Sequence, residues 1–229
     1  MKVLALDCAA KTVSVAIAEN GELLANCFYN VPLTHSQTLL PIIGQALSNT
    51  QLTLKELDAL ALSVGPGSFT GIRIGVSVVK GLAFAQNKPV FAFSALQTAA
   101  LGCAGQNGVV LALTDARAGR YYAAFFKVEQ EKVTRLTKDE IIPQKDLEKR
   151  IELDYNSNRI LLVGDGARLF AQNAPGLAVL VPPTVRLPSA AGMAVYSSVG
   201  TAGEPISPAA LQPVYLIQSQ AQRERQTHN

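Results

Sequence analysis

Two aspartates carry the first chemical signal. Asp7 closes the apolar run Leu4-Ala5-Leu6, and Asp115 closes Leu111-Ala112-Leu113-Thr114. A carboxylate at a strand end can orient water or a metal in a phosphate cleft, or it can cap the turn that follows. Two glycine turns, Gly65-Pro66-Gly67 and Gly164-Asp165-Gly166, also follow apolar runs. Such turns, and helix N-termini, aim backbone N–H groups at anions. Asp7, Gly65, Gly67, Asp115, Gly164 and Gly166 are therefore weak candidates for a nucleotide-phosphate site. No catalytic residue and no metal-ligand set stands beside them. The only histidines are His35 and His228. His35 lies next to Ser36 with no acid nearby, and neighbouring helical residues do not face one another. Capping or an interface contact suits His35 better than nucleophilic catalysis. Cys8, Cys27 and Cys103 are odd in number and scattered. They point to a reducing compartment, and against a zinc site or a disulfide framework.

The glycine run fails both familiar nucleotide patterns. In Gly65-x-Gly67-x-x-x-Gly71 the last glycine precedes Ile72, and no lysine arrives before Lys80. A P-loop needs Gly-Lys-Ser/Thr there. A dinucleotide fingerprint needs an acidic residue ~20 positions on, and none lies between Asp58 and Asp115. ATPases that use a strand-end aspartate usually follow it with glycine. Here Cys8-Ala9-Ala10 follow Asp7, and their Cβ atoms crowd a backbone cradle. Arg117 beside Asp115 suggests an ion pair. ATP hydrolysis by this chain is disfavoured.

The elements that position these residues follow from periodicity. Val3–Leu6 reads as a buried strand, and Val13–Ala18 alternates. Asn20-Gly21 is a hairpin turn, and Glu22–Tyr29 is its return strand. Leu39, Leu40, Ile43 and Leu47 fit a helix over about Ser36–Ser48, capped by Thr34 or Ser36, with Pro41 near its first turn. A short helix at Leu54–Leu57 and a strand at Ala59–Val64 precede the Gly65 turn. A helix then runs to about Gln86, followed by a strand at Pro89–Phe93 and a helix from Ser94 to about Gly102. A strand from Val109, the alternating Tyr121–Val128 and the Gly164 turn repeat this order roughly a hundred residues later. The fold class is therefore α/β, a duplicated two-lobed fold of the actin, hexokinase and heat-shock-70 ATPase type with ribonuclease H-like lobes and mixed sheets. The first lobe spans 1–104 and the second 105–212, with 213–229 packing back on the first. Ser219–Asn229 is polar and reads as a frayed tail.

Composition narrows the class. The chain has 229 residues, 48% apolar and only 16% charged, which excludes global disorder and supplies a full core. A net charge of +3 is too mild for direct nucleic-acid binding. No breaker-free apolar run reaches the ~18 residues of a membrane span, and no signal peptide is seen, so a cytoplasmic location is expected.

The helix after the Gly65 turn is apolar nearly all round, with Arg73 and Lys80 its only charges. A helix of that kind is buried on every side. Gly71 and Gly75 are four residues apart, as are Ser77, Gly81 and Ala85, which lets another helix backbone approach. Close packing within the monomer and a helical subunit interface both satisfy the pattern.

The run Gly65-Pro66-Gly67-Ser68-Phe69-Thr70-Gly71-Ile72-Arg73-Ile74-Gly75 resembles the hallmark of the TsaB (YeaZ) family of bacterial tRNA threonylcarbamoyladenosine synthesis. The resemblance extends over nearly the whole chain. It takes in the Asp7 turn, His35-Ser36-Gln37, Ser94-Ala95-Leu96, Asp115-Ala116-Arg117 with Tyr122, Gly164-Asp165-Gly166 and Pro213-Val214-Tyr215-Leu216. It implies a non-catalytic scaffold that needs no cofactor of its own. Its partner would be the catalytic relative TsaD, which modifies adenosine 37 of tRNAs reading A-starting codons. TsaD binds a metal with a histidine pair, and Ser94–Ala104 holds no histidine. The resemblance also implies contact with the ATPase TsaE, ATP used by the complex, a homodimer when alone, and tRNA met only through the complex. Pairing would use the two first-lobe helices, with Leu39, Ile43, Ile72, Gly75, Val76, Val79, Gly81 and Leu82 at the interface. Three positions depart from the family: Ile217 for arginine, Arg120 for glutamate and Thr34 for a residue such as glutamate. The alternative class is a weak ATPase or small-molecule kinase of the same fold. A peptidase lacks its metal or nucleophile pair, and a nucleic-acid module lacks a basic aromatic stripe.

Overall fold

The structure is a computed structural model and describes residues 1–30, 34–156 and 159–216. Ile217 and the tail at 219–229 lie outside the described residues. The chain opens with a meander of β1 (Lys2–Asp7), β2 (Val13–Glu19) and β3 (Glu22–Tyr29). After α1 (His35–Asn49) come β4 (Ala59–Ser63), α2 (Phe69–Gln86), β5 (Val90–Phe93) and α3 (Ala95–Leu101). The order of the first sheet is β3-β2-β1-β4-β5, antiparallel across the meander and parallel across β1, β4 and β5.

The second half repeats this plan. It comprises β6 (Gly108–Asp115), β7 (Arg120–Glu129), β8 (Lys132–Arg135), β9 (Glu140–Pro143), α4 (Gln144–Asp154), β10 (Ile160–Val163), α5 (Ala167–Asn173) and β11 (Val179–Leu180). Its order, β11-β10-β6-β7-β8, superposes on that of the first sheet strand for strand, with β9 as an extra partner of β7. Two further helices, α6 (Pro183–Arg186) and α7 (Ala190–Ser198), close the repeat.

Alternating residue size decides the layers. In β1 and β4, Leu4, Leu6, Leu60 and Leu62 point to α1 and α2, while Ala5, Ala59 and Ala61 point to the other face. Each fully buried leucine contributes roughly 2 kcal/mol. The alanine face lets the Ala-rich α7 lie close through Ala190, Met193 and Ala194. On the second sheet α3 fills the equivalent place, with Leu96, Ala99 and Ala100 against Val110, Ala112 and Phe126. Helices α3 and α7 meet tightly, since a Cβ on Gly192 would lie 2.6 Å from Leu101 Cβ. Helices α4 and α5 cover the far side of the second sheet through Leu147, Ile151 and Phe170.

Chain segments cross between the two sheets. Each half lends its last helix to the other sheet. Residues of α7 bond to the first sheet, through Ala190 N–H to Ser14 Oγ (2.9 Å) and Gly21 N–H to Ser198 Oγ (2.9 Å). Ile206 bridges to Val90 of β5, and Leu211 is buried in the first core.

Local corrections are smaller. Leu54–Glu56 is one 3-10 turn. Helix α1 starts at His35, which places Pro41 inside it rather than at its first turn. Pro41 is exposed and gives up one helical hydrogen bond. Thr34 sits at the N-cap position, but its side chain makes no capping bond. Strand β9 and helix α4 were not anticipated, because the charged segment 130–158 carries a weak apolar period. Among the described residues no helix is long and apolar enough to cross a membrane.

Candidate functional site

The two glycine turns are built to touch the strand-end turns beside them. A Cβ on Gly67 would lie 2.1 Å from Ala9 O, and one on Gly71 would lie 2.1 Å from Cys8 O. Such distances exclude any side chain without moving backbone. Gly164 repeats the device, with a Cβ position 2.0 Å from Leu113 O. Gly65 is held against Val214 O, and Gly166 against Asp115 N. The turn N–H groups are used internally. Ser68 N–H donates to Ala9 O (2.7 Å), Gly71 N–H to Ser68 Oγ (3.2 Å) and Ile72 N–H to Ser68 O (2.9 Å). In the second half Gly164 N–H donates to Arg186 O (2.6 Å) and Gly166 N–H to Leu113 O (3.1 Å). These donors thus serve the chain's own carbonyls and the Ser68 hydroxyl.

Asp7 and Asp165 approach each other across the cleft between the two sheets. Asp7 is fully buried, and Asp165 is among the charges that act on it. Burial raises the Asp7 carboxyl to about 6, against the pull of the Ser63 hydroxyl, the Ala9 N–H and His35. Burial likewise raises Asp165. Asp7 Oδ2, Thr12 Oγ1, Ser63 Oγ and Asp165 Oδ1 are buried without a hydrogen-bond partner. Asp115 is exposed and caps its own turn by accepting the Arg117 backbone N–H at 2.7 Å. Among the described residues it makes no ion pair with Arg117, which corrects that expectation. Cys8 is an inert thiol. Burial pushes it up to about 12, and its Sγ donates to Gly71 O at 3.2 Å. His35 Nε2 lies 3.2 Å from Thr12 O at the first residue of α1. Among the described residues no group of three His, Cys, Asp or Glu side chains is arranged to hold a metal.

The two-helix face differs from the residues named for it by sequence. Leu39, Ile43, Ile72, Val76 and Val79 lie in the first core. Gly75 faces that core too, where a Cβ would lie 2.7 Å from Cys8 Sγ and 3.0 Å from Leu62 Cδ1. The apolar period of α2 marks its own sheet and its neighbours, as intramolecular packing requires. Leu82 is half-buried and packs against the same core, and Gly81 opens to space. What α2 presents outward is Phe69, Arg73, Ser77, Gly81 and Phe84, one line along the helix. Phe84 is 74% exposed, and Leu40 on α1 is 53% exposed. At the other end Arg73 lies 4.0 Å over the Phe69 ring and donates through Nε to Tyr215 Oη at 3.0 Å. The i, i+4 spacing from Phe69 to Ser77 was available in the sequence; the approach of Tyr215 was not.

The family model described as TsaD, tRNA N6-adenosine threonylcarbamoyltransferase, matches residues 30–184. The tRNA threonylcarbamoyladenosine biosynthesis protein TsaB of Escherichia coli is 32% identical over 227 residues, covering 94% of each chain. The chain belongs to the TsaB family. YeaZ from Pseudomonas aeruginosa, 28% identical, aligns with a TM-score of 0.80 over 94% of this chain and 99% of its own. The ethanolamine utilization protein EutJ of Carboxydothermus hydrogenoformans aligns with a TM-score of 0.50 at 13% identity, over 86% and 90% of the two chains, a likeness of fold alone. The duplicated two-lobed fold therefore holds, and the hallmark run from Gly65 to Gly75 is the segment whose glycines lock the α2 root onto the β1–β2 turn.

Proposed function

We propose that the chain is the non-catalytic pairing subunit of the assembly that adds a threonylcarbamoyl group to adenosine 37 of tRNA. Its partner is the catalytic relative TsaD, bound through the outward faces of α1 and α2. The observation that carries this reading is the line Phe69, Arg73, Ser77, Gly81 and Phe84 beside Leu40. It is an exposed, nearly charge-free strip with small residues at its middle and aromatic anchors at its ends. Aromatic and arginine side chains around small ones suit a partner helix. The closed glycine turns support the absence of turnover in this chain, since the N–H groups of Ser68, Gly164 and Gly166 are committed to backbone carbonyls. In this reading TsaE supplies ATP turnover, tRNA is met through the complex, the chain dimerises with itself when alone, and the work is done in the cytoplasm.

Light scattering after gel filtration tests it, with the chain alone and then mixed with TsaD of the same genome. A one-to-one heterodimer is expected. A chain that ignores TsaD, or that hydrolyses ATP by itself in a manner abolished by Asp7→Ala, overturns the reading in favour of a weak ATPase or kinase.

A further inference from the structure

The turn from Asp7 to Thr12 touches the cleft and the roots of both face helices. Towards α2, Ala9 O accepts the Ser68 N–H, Cys8 O closes on Gly71, and Cys8 Sγ closes on Gly75. Towards α1, Thr12 O meets His35 Nε2 at 3.2 Å. With clearances this small, the turn cannot shift by an ångström without displacing α2 or releasing α1. Both ends of the turn carry a buried polar atom: Asp7 Oδ2, which faces the Ser63 hydroxyl, and Thr12 Oγ1. The groups facing Asp7 are His35 from α1, Asp165 from the turn before α5, the adjacent Cys8 thiol, the Ser63 hydroxyl from β4, and Ser14, its register partner on β2. Behind Asp165 stand Asp115 and Lys11.

We propose that this turn couples the cleft to the two-helix face, so that the proton on Asp7 and pairing through α1 and α2 are linked. The proposal rests on the pairing reading above. Its sign follows from desolvation. Pairing through α1 and α2 holds the turn in this closed arrangement, in which the carboxyl is fully buried, and burial favours the neutral acid. Linkage is reciprocal, so pairing is tightest with Asp7 protonated and weakens as pH rises through its transition.

The test is the self-association constant of the full chain from pH 5 to pH 8, by sedimentation, for wild type, Asp7→Asn and His35→Gln. Wild type is expected to weaken about three- to tenfold across that range. Asp7→Asn should hold the tight value throughout. His35→Gln should keep the dependence with its midpoint moved up, since the facing cation is gone. A second readout needs no variant: the carboxyl carbon resonance of Asp7 should titrate at higher pH in the dimer than in the monomer. An unchanged midpoint, or the same pH slope in wild type and Asp7→Asn, overturns the coupling while leaving pairing intact. Absence of pairing at every pH overturns the pairing reading and the coupling with it.

Discussion

The two halves share a sheet order strand for strand, yet their outer helices are unlike. Helices α1 and α2 have 15 and 18 residues, whereas α4 and α5 have 11 and 7. Outward from the second sheet, α4 presents Lys145, Asp146, Lys149 and Glu152, a mostly charged face with Leu153 near its end. Outward from the first sheet, α2 presents Phe69, Arg73, Ser77, Gly81 and Phe84. One scaffold thus carries a nearly uncharged outer helix in the first half and a mostly charged one in the second. The inward halves are more alike: in each repeat a glycine turn closes on a backbone carbonyl, Ala9 O for Gly67 and Leu113 O for Gly164. The helix faces therefore diverged while the turns stayed under a common steric constraint.

The harshest way to break this comparison is to attack what the halves share. Gly67→Ala and Gly164→Ala place a Cβ 2.1 Å and 2.0 Å from a carbonyl oxygen. Each is expected to cost about 3 kcal/mol or more, or to prevent folding, measured by denaturant unfolding. Equal damage in both halves is the expected outcome, and a tolerated Gly164→Ala would mean that the second turn is free to adapt. Next comes the surface the halves do not share. Phe84→Asp should weaken pairing about a hundredfold with little change in unfolding midpoint. The matching change on the exposed Leu169 of α5, Leu169→Asp, should leave pairing alone. Gly81→Leu is the sharper steric probe, because a Cβ there meets nothing within 4 Å, whereas a bulky residue at Gly75 would damage the core first.

Much of this architecture was legible before any coordinates. The Asn20-Gly21 hairpin, the strand-end aspartates and the glycine turns recur in order, and local chemistry fixes each of them. The exchange of α3 and α7 between sheets was not legible. Both are short, small-residue helices whose apolar sides fit either alanine-rich face, and only the path of the chain decides which. The helix face was half legible. Periodicity finds the residues that are buried, so it returned Leu39, Ile43, Ile72, Val76 and Val79, which the monomer itself buries. An exposed residue such as Phe84 breaks the buried period and is visible only once the core is accounted for. The polar orphans at Ser63 and Thr12 carry no sequence signal at all, since either hydroxyl would serve equally as a satisfied strand residue.

Charge gives a third contrast, between the buried Asp7 of the first half and the exposed Asp115 of the second. Asp7 is raised from 3.8 to about 6, so the folded protein holds its proton longer than the unfolded chain does. Stability from this group is full below the unfolded value and is lost as pH rises towards the folded one. Asp7→Asn should therefore stabilise the protein at pH 7.5 by about 3 kcal/mol, and the two proteins should converge at about pH 4. Thermal unfolding across that range checks it. A variant less stable than wild type at pH 7.5 would show that the carboxylate is compensated by more than its visible neighbours.

The smallest expected effect concerns how each outer helix begins. Ser68 caps α2 by accepting the Gly71 N–H, whereas α5 starts at Gly166 with no side-chain cap. A cap of this kind contributes about 1 kcal/mol. Ser68→Ala should lower stability by that amount, read from the unfolding midpoint. The cap also sits where Ala9 O holds the Ser68 backbone, so the helix start has two tethers and the variant should still fold. The exposed line from Phe69 begins at the next residue. If the cap serves only the helix, pairing should survive Ser68→Ala after correction for stability. A pairing loss beyond that correction would place the first turn of α2 within the interface, and would extend the covered surface from Phe84 back to the glycine turn.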